Sequence, residues 1–336
     1  MTVLPRRIAI VTPVLSDWKS FAKLVSEIRE LPVLSKADVC VVAVDDGSPI
    51  LETPSDDLIG GPVREIQVVR LKANLSHQRA IAIGLAHVER ELDVDLVIVM
   101  DSDGEDQPCD MEPMLKAHDD QPGAIVVARR RKRSEGKRFK LGYAVYKFVF
   151  ALLTGQAISF GNFSLIPRNR LPNIVYNPSI WNSFSATLLR SRVPIEFVET
   201  DRGKRYFGRS SMNFSGLVVH GMSAISVYSD VVITRMIIGL ALLGVLFAVA
   251  VAAIIGLKIV ADMYDMTGFF IPGYATNLVL SLANLVASTM FIGFVGILSL
   301  LAARSHAAAM PSQLVDELVA QVDKVFAAPR LKGVAR

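Results

Sequence analysis

The chain has 336 residues, room for one domain of ordinary size plus additions. Its hydrophobic content of 51% and mean hydropathy of +0.41 argue against a purely water-facing protein and point to membrane segments. The net charge of +4 is modest, and the two cysteines, Cys40 and Cys109, form no CxxC or zinc-like spacing, so a reducing cytoplasmic setting fits and a disulfide framework does not.

Met1 to Arg7 carries no apolar signal region, so no cleaved signal peptide is expected. Arg7–Val14 reads as a buried strand that Pro13 ends. A helix with Phe21, Leu24, Val25 and Ile28 at helical spacing follows. Val39–Val44 is a second strand, leading into Asp45, Asp46, Gly47 and Ser48. Ile66–Leu71 is a third, and the helix after it carries Ala80, Ile81, Ile83, Gly84, Leu85 and Val88. Leu96–Met100 is a fourth strand that runs straight into Asp101, Ser102, Asp103, Gly104, Glu105 and Asp106, and Ala124–Ala128 is a fifth. Strands alternating with helices predict an α/β domain with a largely parallel core sheet.

A basic run, Arg129 to Arg133 with Lys137, Arg138 and Lys140, passes into a segment rich in Phe and Tyr. Cations leading into an aromatic helix suit an interfacial helix over about 137–155. A solvated loop or a nucleic-acid arm are the alternatives; the apolar stretches downstream favour the membrane, and no nucleic-acid partner is expected. A second interfacial helix is expected over 213–232. Met236–Leu257 and Leu278–Ala303 contain no charged residue, and each exceeds the roughly 20 residues that cross a bilayer. Together they make a two-helix membrane hairpin within 233–304. The connector with Lys258, Asp262 and Asp265 is poor in cations relative to both flanks. The positive-inside rule therefore puts residues 1–212 and the tail 305–336 in the cytoplasm of an inner-membrane protein. The tail, from Leu314 to Phe326, is amphipathic and packs on the domain or the membrane surface. Gly239, Gly244, Asn284 and Ser288 offer positions through which hairpins associate into a homo-oligomer, or simply face lipid.

Carboxylates two apart at the end of a buried strand can aim at one hard cation, and ligands of open α/β sheets bind at such ends. The plain alternative for Asp101 and Asp103 is an acidic solvated loop. Asp45, Asp46 and Ser48 can bind a base or ribose, Asp101 and Asp103 a metal on a diphosphate, and the basic run a lipid-borne phosphate. Neither a dinucleotide-binding glycine fingerprint nor a P-loop is present, which disfavours nicotinamide and P-loop enzymes.

Thr12-Pro13-Val14, Val44–Ser48, Asn74–Ala80 with Gly84-Leu85, Met100–Asp103 with Pro108, Ala128-Arg129 and Arg205–Ser211 occur in an order that resembles family 2 glycosyltransferases. The branch is that of polyprenyl-phosphate glycosyltransferases, the dolichol-phosphate mannose synthase and GtrB-like enzymes. The resemblance implies a GT-A (Rossmann-like) domain with interfacial helices and a C-terminal membrane hairpin. It also implies inverting transfer of one sugar from a UDP- or GDP-sugar to a polyprenyl phosphate. Pro13, Asp45, Asp46, Ser48, Asp101 and Ser210 would bind the nucleotide sugar. Asp101, Asp103 and Glu105 would hold Mg²⁺ or Mn²⁺; Glu105 stands where the family often has Gln. Asp103, Arg129 and Arg205 would be catalytic, and Arg129, Arg131 and Arg133 would take the acceptor phosphate. Ser159, Ser76 and Met212 replace the Asp, Gly and Tyr usual in the family. A transferase for another lipid or a polysaccharide, and a non-catalytic membrane scaffold, are the competing functions.

Overall fold

The computed structural model describes residues 6–131, 148–157, 159–208, 214–264, 273–305 and 310–326. The expected interfacial segment 137–155 lies outside the described residues up to 147; residues 148–154 form a helix.

The described residues form an eight-stranded mixed sheet in the order β7-β5-β6-β4-β1-β2-β3-β8. Its centre is parallel: β1 (Arg6–Val14) lies between β2 (Ala37–Asp45) and β4 (Leu96–Val99), and β3 (Val63–Leu71) lies beyond β2. These strands read as near-continuous Val and Ile runs because both faces are covered. One face packs on α1 (Trp18–Glu30), whose Trp18, Phe21, Leu24, Val25 and Ile28 are buried, and on α3 (Met111–Asp120). The other packs on α2 (His77–Glu91). Each large apolar side chain so buried contributes about 1.5–3 kcal/mol. Gly84 lets α2 sit close to the sheet, since a Cβ there would fall 2.6 Å from Val44 and 2.7 Å from Val11.

Three features depart from expectation. Pro13 does not end β1, whose register with β2 continues through Pro13↔Val44 to Val14↔Asp45. Pairing with β4 stops at Val11↔Val99, and beyond that point a residue lacking N–H is tolerated. The core is parallel as expected, but the sheet as a whole is mixed: β6 (Ser164–Pro167) runs antiparallel between β4 and β5 (Ile125–Arg130), while β7 (Ile195–Thr200) is parallel to β5. The tail is half helix, Pro311–Leu318, and half strand, β8 (Val319–Phe326), which pairs antiparallel with β3.

The chain divides into two compact units. Residues 1–149, 156–227 and 309–336 hold the sheet; residues 150–155 and 228–308 hold two long helices. With the helix at 148–154 as α4, the later helices are α5 (Leu171–Val175), α6 (Phe184–Arg190), α7 (Phe214–Ser226), α8 (Ser229–Met263), α9 (Tyr274–Ser305) and α10 (Pro311–Leu318). The segment 213–232 is therefore not one helix: α7 stops at Ser226 and α8 begins at Ser229. Ser229–Ala261 and Thr276–Gly296 are long and apolar enough to cross a membrane, and their Leu242, Leu246, Phe291 and Ile292 are exposed. α8 and α9 pack together, and Gly293 brings them close: a Cβ there would meet Leu240 at 2.9 Å.

Candidate active site

Parallel register brings the carboxyl ends of β1, β2 and β4 to one edge of the sheet, with Pro13, Asp45 and the 101–106 loop side by side. Met100 N–H donates to Val11 O, and Ser102 Oγ–H donates to Pro13 O at 3.2 Å. The loop is thereby fastened to the end of β1.

Asp45 and Asp46 are both buried. Asp45 accepts from Ser48 N–H at 3.0 Å and from Arg70 Nη1 at 3.0 Å, and Ser48 Oγ accepts from Ser16 N–H at 2.8 Å. Asp46 accepts from Leu75 N–H at 2.7 Å; burial raises its carboxyl above the usual range, and that hydrogen bond works against the rise. These carboxylates thus also hold the 45–48 turn and the entry to α2 in place.

Asp101 is half-buried, and His77 Nε2 lies 3.2 Å from its Oδ1. Burial opposes ionisation of Asp101, but His77, the Asn162 amide and Arg130 together hold the carboxyl below its ordinary value; reciprocally, burial works against a charged His77, and Asp101 raises it. A run of amides leads to this pair. Phe184 N–H donates to Gln78 Oε1 at 2.7 Å, Gln78 Nε2 donates to Asn162 Oδ1 at 3.2 Å, and Asn162 Nδ2, 2.9 Å from His77 Nε2, donates to the Asp101 carboxylate. A backbone N–H can only donate, so it fixes the orientation of Gln78 and, through it, of Asn162.

Asp103 accepts from Glu105 N–H at 2.9 Å and is ion-paired with Arg205. Burial raises its carboxyl, as does Asp101 nearby, against the Glu105 N–H and Arg205. Asp106 accepts from Asp101 N–H at 3.1 Å and from Arg130 at 3.0 Å; burial and Asp101 push it up to about 7. Glu105 turns away, toward Arg202 at 2.7 Å and Arg130 at 3.4 Å. Asp101, Asp103 and Glu105 therefore do not assemble into one ligand set, and among the described residues no three His, Cys, Asp or Glu side chains are grouped to hold a metal ion. The oxygen donors of Asp101 and Asp103 fit Mg²⁺ or Mn²⁺, hard cations that take only one or two protein carboxylates when phosphate and water supply the rest.

Residues 201–207 lie across this loop as a strap. Gly203 N–H donates to Glu105 O at 2.9 Å and Tyr206 N–H to Asp103 O at 2.7 Å. Gly104, at φ +89°, has no side chain to collide with the Tyr206 ring, which would lie 2.8 Å from a Cβ. Tyr206 OH in turn donates to Glu27 at 2.6 Å. The strap is what brings Arg205 to Asp103. At the end of β5, Arg129 pairs with Glu199 and lies 5.0 Å from the centre of the Phe197 ring. Arg131 N–H donates to Thr200 O at 3.0 Å. Arg133 and Ser210 lie outside the described residues.

Sequence reasoning gave no site role to Arg70, Arg202, Asn162 or Glu199, and named Arg130 only within the basic run and Asp106 only within the acidic one. Of the first four, Arg70 left a signal, a cation inside the apolar run Val68–Leu71 that burial obliges to find a carboxylate.

The family model for glycosyl transferase family 2 matches residues 9–191. Putative glycosyltransferases of Mycobacterium tuberculosis (strain CDC 1551 / Oshkosh) are 31% identical over 118 residues, 34% of this chain and 33% of theirs. An undecaprenyl-phosphate 4-deoxy-4-formamido-L-arabinose transferase of Enterobacter sp. (strain 638) is 24% identical over 225 residues, 63% of this chain and 64% of that one. The chain thus spans a third and just under two thirds of the length of these relatives. Among solved structures, glucosyl-3-phosphoglycerate synthase from Mycobacterium tuberculosis in complex with Mn²⁺, UDP-glucose and phosphoglyceric acid has 16% identity and a TM-score of 0.49, covering 68% of this chain and 80% of that one.

Proposed function

Since this chain belongs to glycosyl transferase family 2, we propose that it moves one sugar from a UDP- or GDP-sugar to a polyprenyl phosphate at a membrane surface, inverting the anomeric centre. The observation that carries this reading is the pair Asp101 and Asp103 at the carboxyl end of β4, with Arg205 laid on Asp103 by the strap. The polyprenyl acceptor draws support from the Enterobacter relative's name and from two helices long and apolar enough to cross a membrane. Lys258 and Asp262 near the end of the first of those helices, with Asp265 beyond it, support a cytoplasmic catalytic unit by the positive-inside rule.

In this mechanism Asp45, Asp46 and Ser48 take the nucleoside, with Pro13 in the wall beside them. Mg²⁺ or Mn²⁺ on Asp101 and Asp103 would offset the charge of the leaving diphosphate. Arg205 and Ser210 grip that diphosphate by charge-assisted and hydroxyl hydrogen bonds. Arg129, with Arg131 and Arg133, orients the acceptor phosphate. That phosphate is already anionic near neutral pH, so no strong base is needed. One of its oxygens attacks the anomeric carbon in line as the bond from that carbon to the diphosphate oxygen breaks. The electron pair leaves with the nucleoside diphosphate. Catalysis is then alignment plus charge stabilisation.

The test is nucleoside diphosphate release by the purified chain in detergent, with a panel of nucleotide sugars and Mn²⁺ or Mg²⁺, with and without undecaprenyl phosphate. Release from one donor only when the lipid phosphate is present supports the proposal. Metal-dependent nucleotide binding without release under any condition overturns it in favour of another acceptor or a scaffold.

A further inference from the structure

Arg70, at the end of β3, is buried, and all three of its guanidinium nitrogens are engaged. Nε donates to Asp323 at 2.6 Å, Nη1 to Asp45 at 3.0 Å, and Nη2 to Glu52 O at 2.8 Å and Thr53 Oγ at 3.4 Å. Trp18 packs beside it, 5.9 Å from the ring centre to the guanidinium carbon. The sheet dictates this meeting. Arg70 is in register with Asp45 on β2 and with Gln321 on β8, so it stands between the strand that carries Asp45 and the strand that carries Asp323.

A buried guanidinium facing one carboxylate tends to take it with two parallel N–H groups. Here Asp323 holds Nε, and Asp45 receives a single N–H from Arg70. A carboxylate has about four acceptor positions. Arg70 and Ser48 use two of those on Asp45, which leaves acceptor capacity at the end of β2. Two carboxylates share one guanidinium, so the cluster keeps a surplus negative charge. The same grip fixes the backbone at Glu52 and the Thr53 hydroxyl, in the loop that follows Ser48.

We propose that Asp323, contributed by the strand that follows both apolar helices, is a positioning residue of the donor site. It holds Arg70 so that Asp45 and the 52–53 loop are presented to the nucleoside. This rests on the donor-binding role of Asp45 set out above. A strand that merely covers the edge of β3 would need no carboxylate at this position. The tail has a second ion pair that allows the two roles to be separated: Asp316 on α10 pairs with Arg90 on α2 at 2.7 Å, away from Arg70.

The experiment is titration calorimetry of the full chain in detergent with UDP and with GDP in the presence of Mn²⁺, which requires neither lipid nor turnover. Asp323→Ala is expected to weaken binding of the preferred nucleotide about tenfold, the effect of losing one charged hydrogen bond. Asp323→Glu should restore most of it, and Asp316→Ala should leave the affinity at the wild-type value. If Asp323→Ala does not fold, Asp323→Asn, which keeps the size and one acceptor, should shift the affinity in the same direction. Wild-type affinity in the Asp323 variants, or equal weakening by Asp316→Ala, overturns the proposal. A wild-type chain that binds neither nucleotide overturns the donor-site reading itself, and the role of Asp323 with it.

Discussion

Gly203→Ala isolates the strap. A Cβ at Gly203 would fall 2.2 Å from Gly104 O and 2.8 Å from Gln107 Cγ, more than an ångström inside ordinary contact with the first. The obstacle is backbone, which no rotamer change relieves. The strap must lift, and with it go the hydrogen bonds from Gly203 N–H to Glu105 O and from Tyr206 N–H to Asp103 O. At about 1 kcal/mol net for each bond, the docked strap loses about 2 kcal/mol, or roughly thirtyfold in its docking equilibrium constant. Arg205 leaves Asp103 in the same measure. Nucleoside diphosphate release with saturating lipid phosphate should therefore fall, by up to about thirtyfold where the lifted strap predominates. The unfolding midpoint, read from the fluorescence of Trp18 and Trp181, should move only modestly, because the strands keep their pairing and the strap's loss to the core is the partly buried Tyr206 ring. A Gly203→Ala protein that turns over at the wild-type rate, or that loses rate only in proportion to its folded fraction, would refute the role given to the strap.

Asp103→Asn should reduce transfer on the order of a hundredfold or more while the chain stays folded, with Mn²⁺ binding weakened in parallel by paramagnetic resonance titration. Gly84→Ala should destabilise the sheet unit by about 1–3 kcal/mol in denaturant unfolding, since its methyl would enter the space held by Val11 and Val44. His87 is buried with Nε2 2.7 Å from Gln67 Oε1, and burial lowers its affinity for a proton. The unfolded chain then takes up a proton below about pH 6.5 that the folded chain resists, so stability should fall as pH drops through that value. Unfolding curves for His87→Gln should show a shallower decline over the same range than the wild type.

The parallel core is legible because β1 to β5 are β-branched runs and α1 and α2 carry clean helical stripes. The strands that escape have specific disguises. β6 is four residues long and ends in Pro167; β7 interleaves Glu196 and Glu199 with its apolar residues. Val319, Val322 and Val325 repeat every third residue and imitate a helical face. In the folded chain they lie on β8, where Val322 packs on one core and Val325 on the other, and a register shift beside Arg70 returns Val319 to the side of Val322. At the site, sequence locates Asp45, Asp46, Asp101 and Asp103 at strand ends. It does not say which cation each carboxylate meets, because those partners come from far along the chain: Arg70 with Asp323, Arg205 with Asp103, Arg202 with Glu105.

The place of β8 in the sheet also sets an order of events during synthesis. Arg70 and Asp323 are 253 residues apart, and α8 and α9 are made between them. Until β8 emerges, the outer edge of β3 is a row of unpaired N–H and C=O groups, the kind of edge that recruits stray strands. The sheet therefore closes only after both apolar helices have left the ribosome. A lesion that delays completion of those helices prolongs the exposure of that edge, so its first expected symptom is aggregation of the nascent chain.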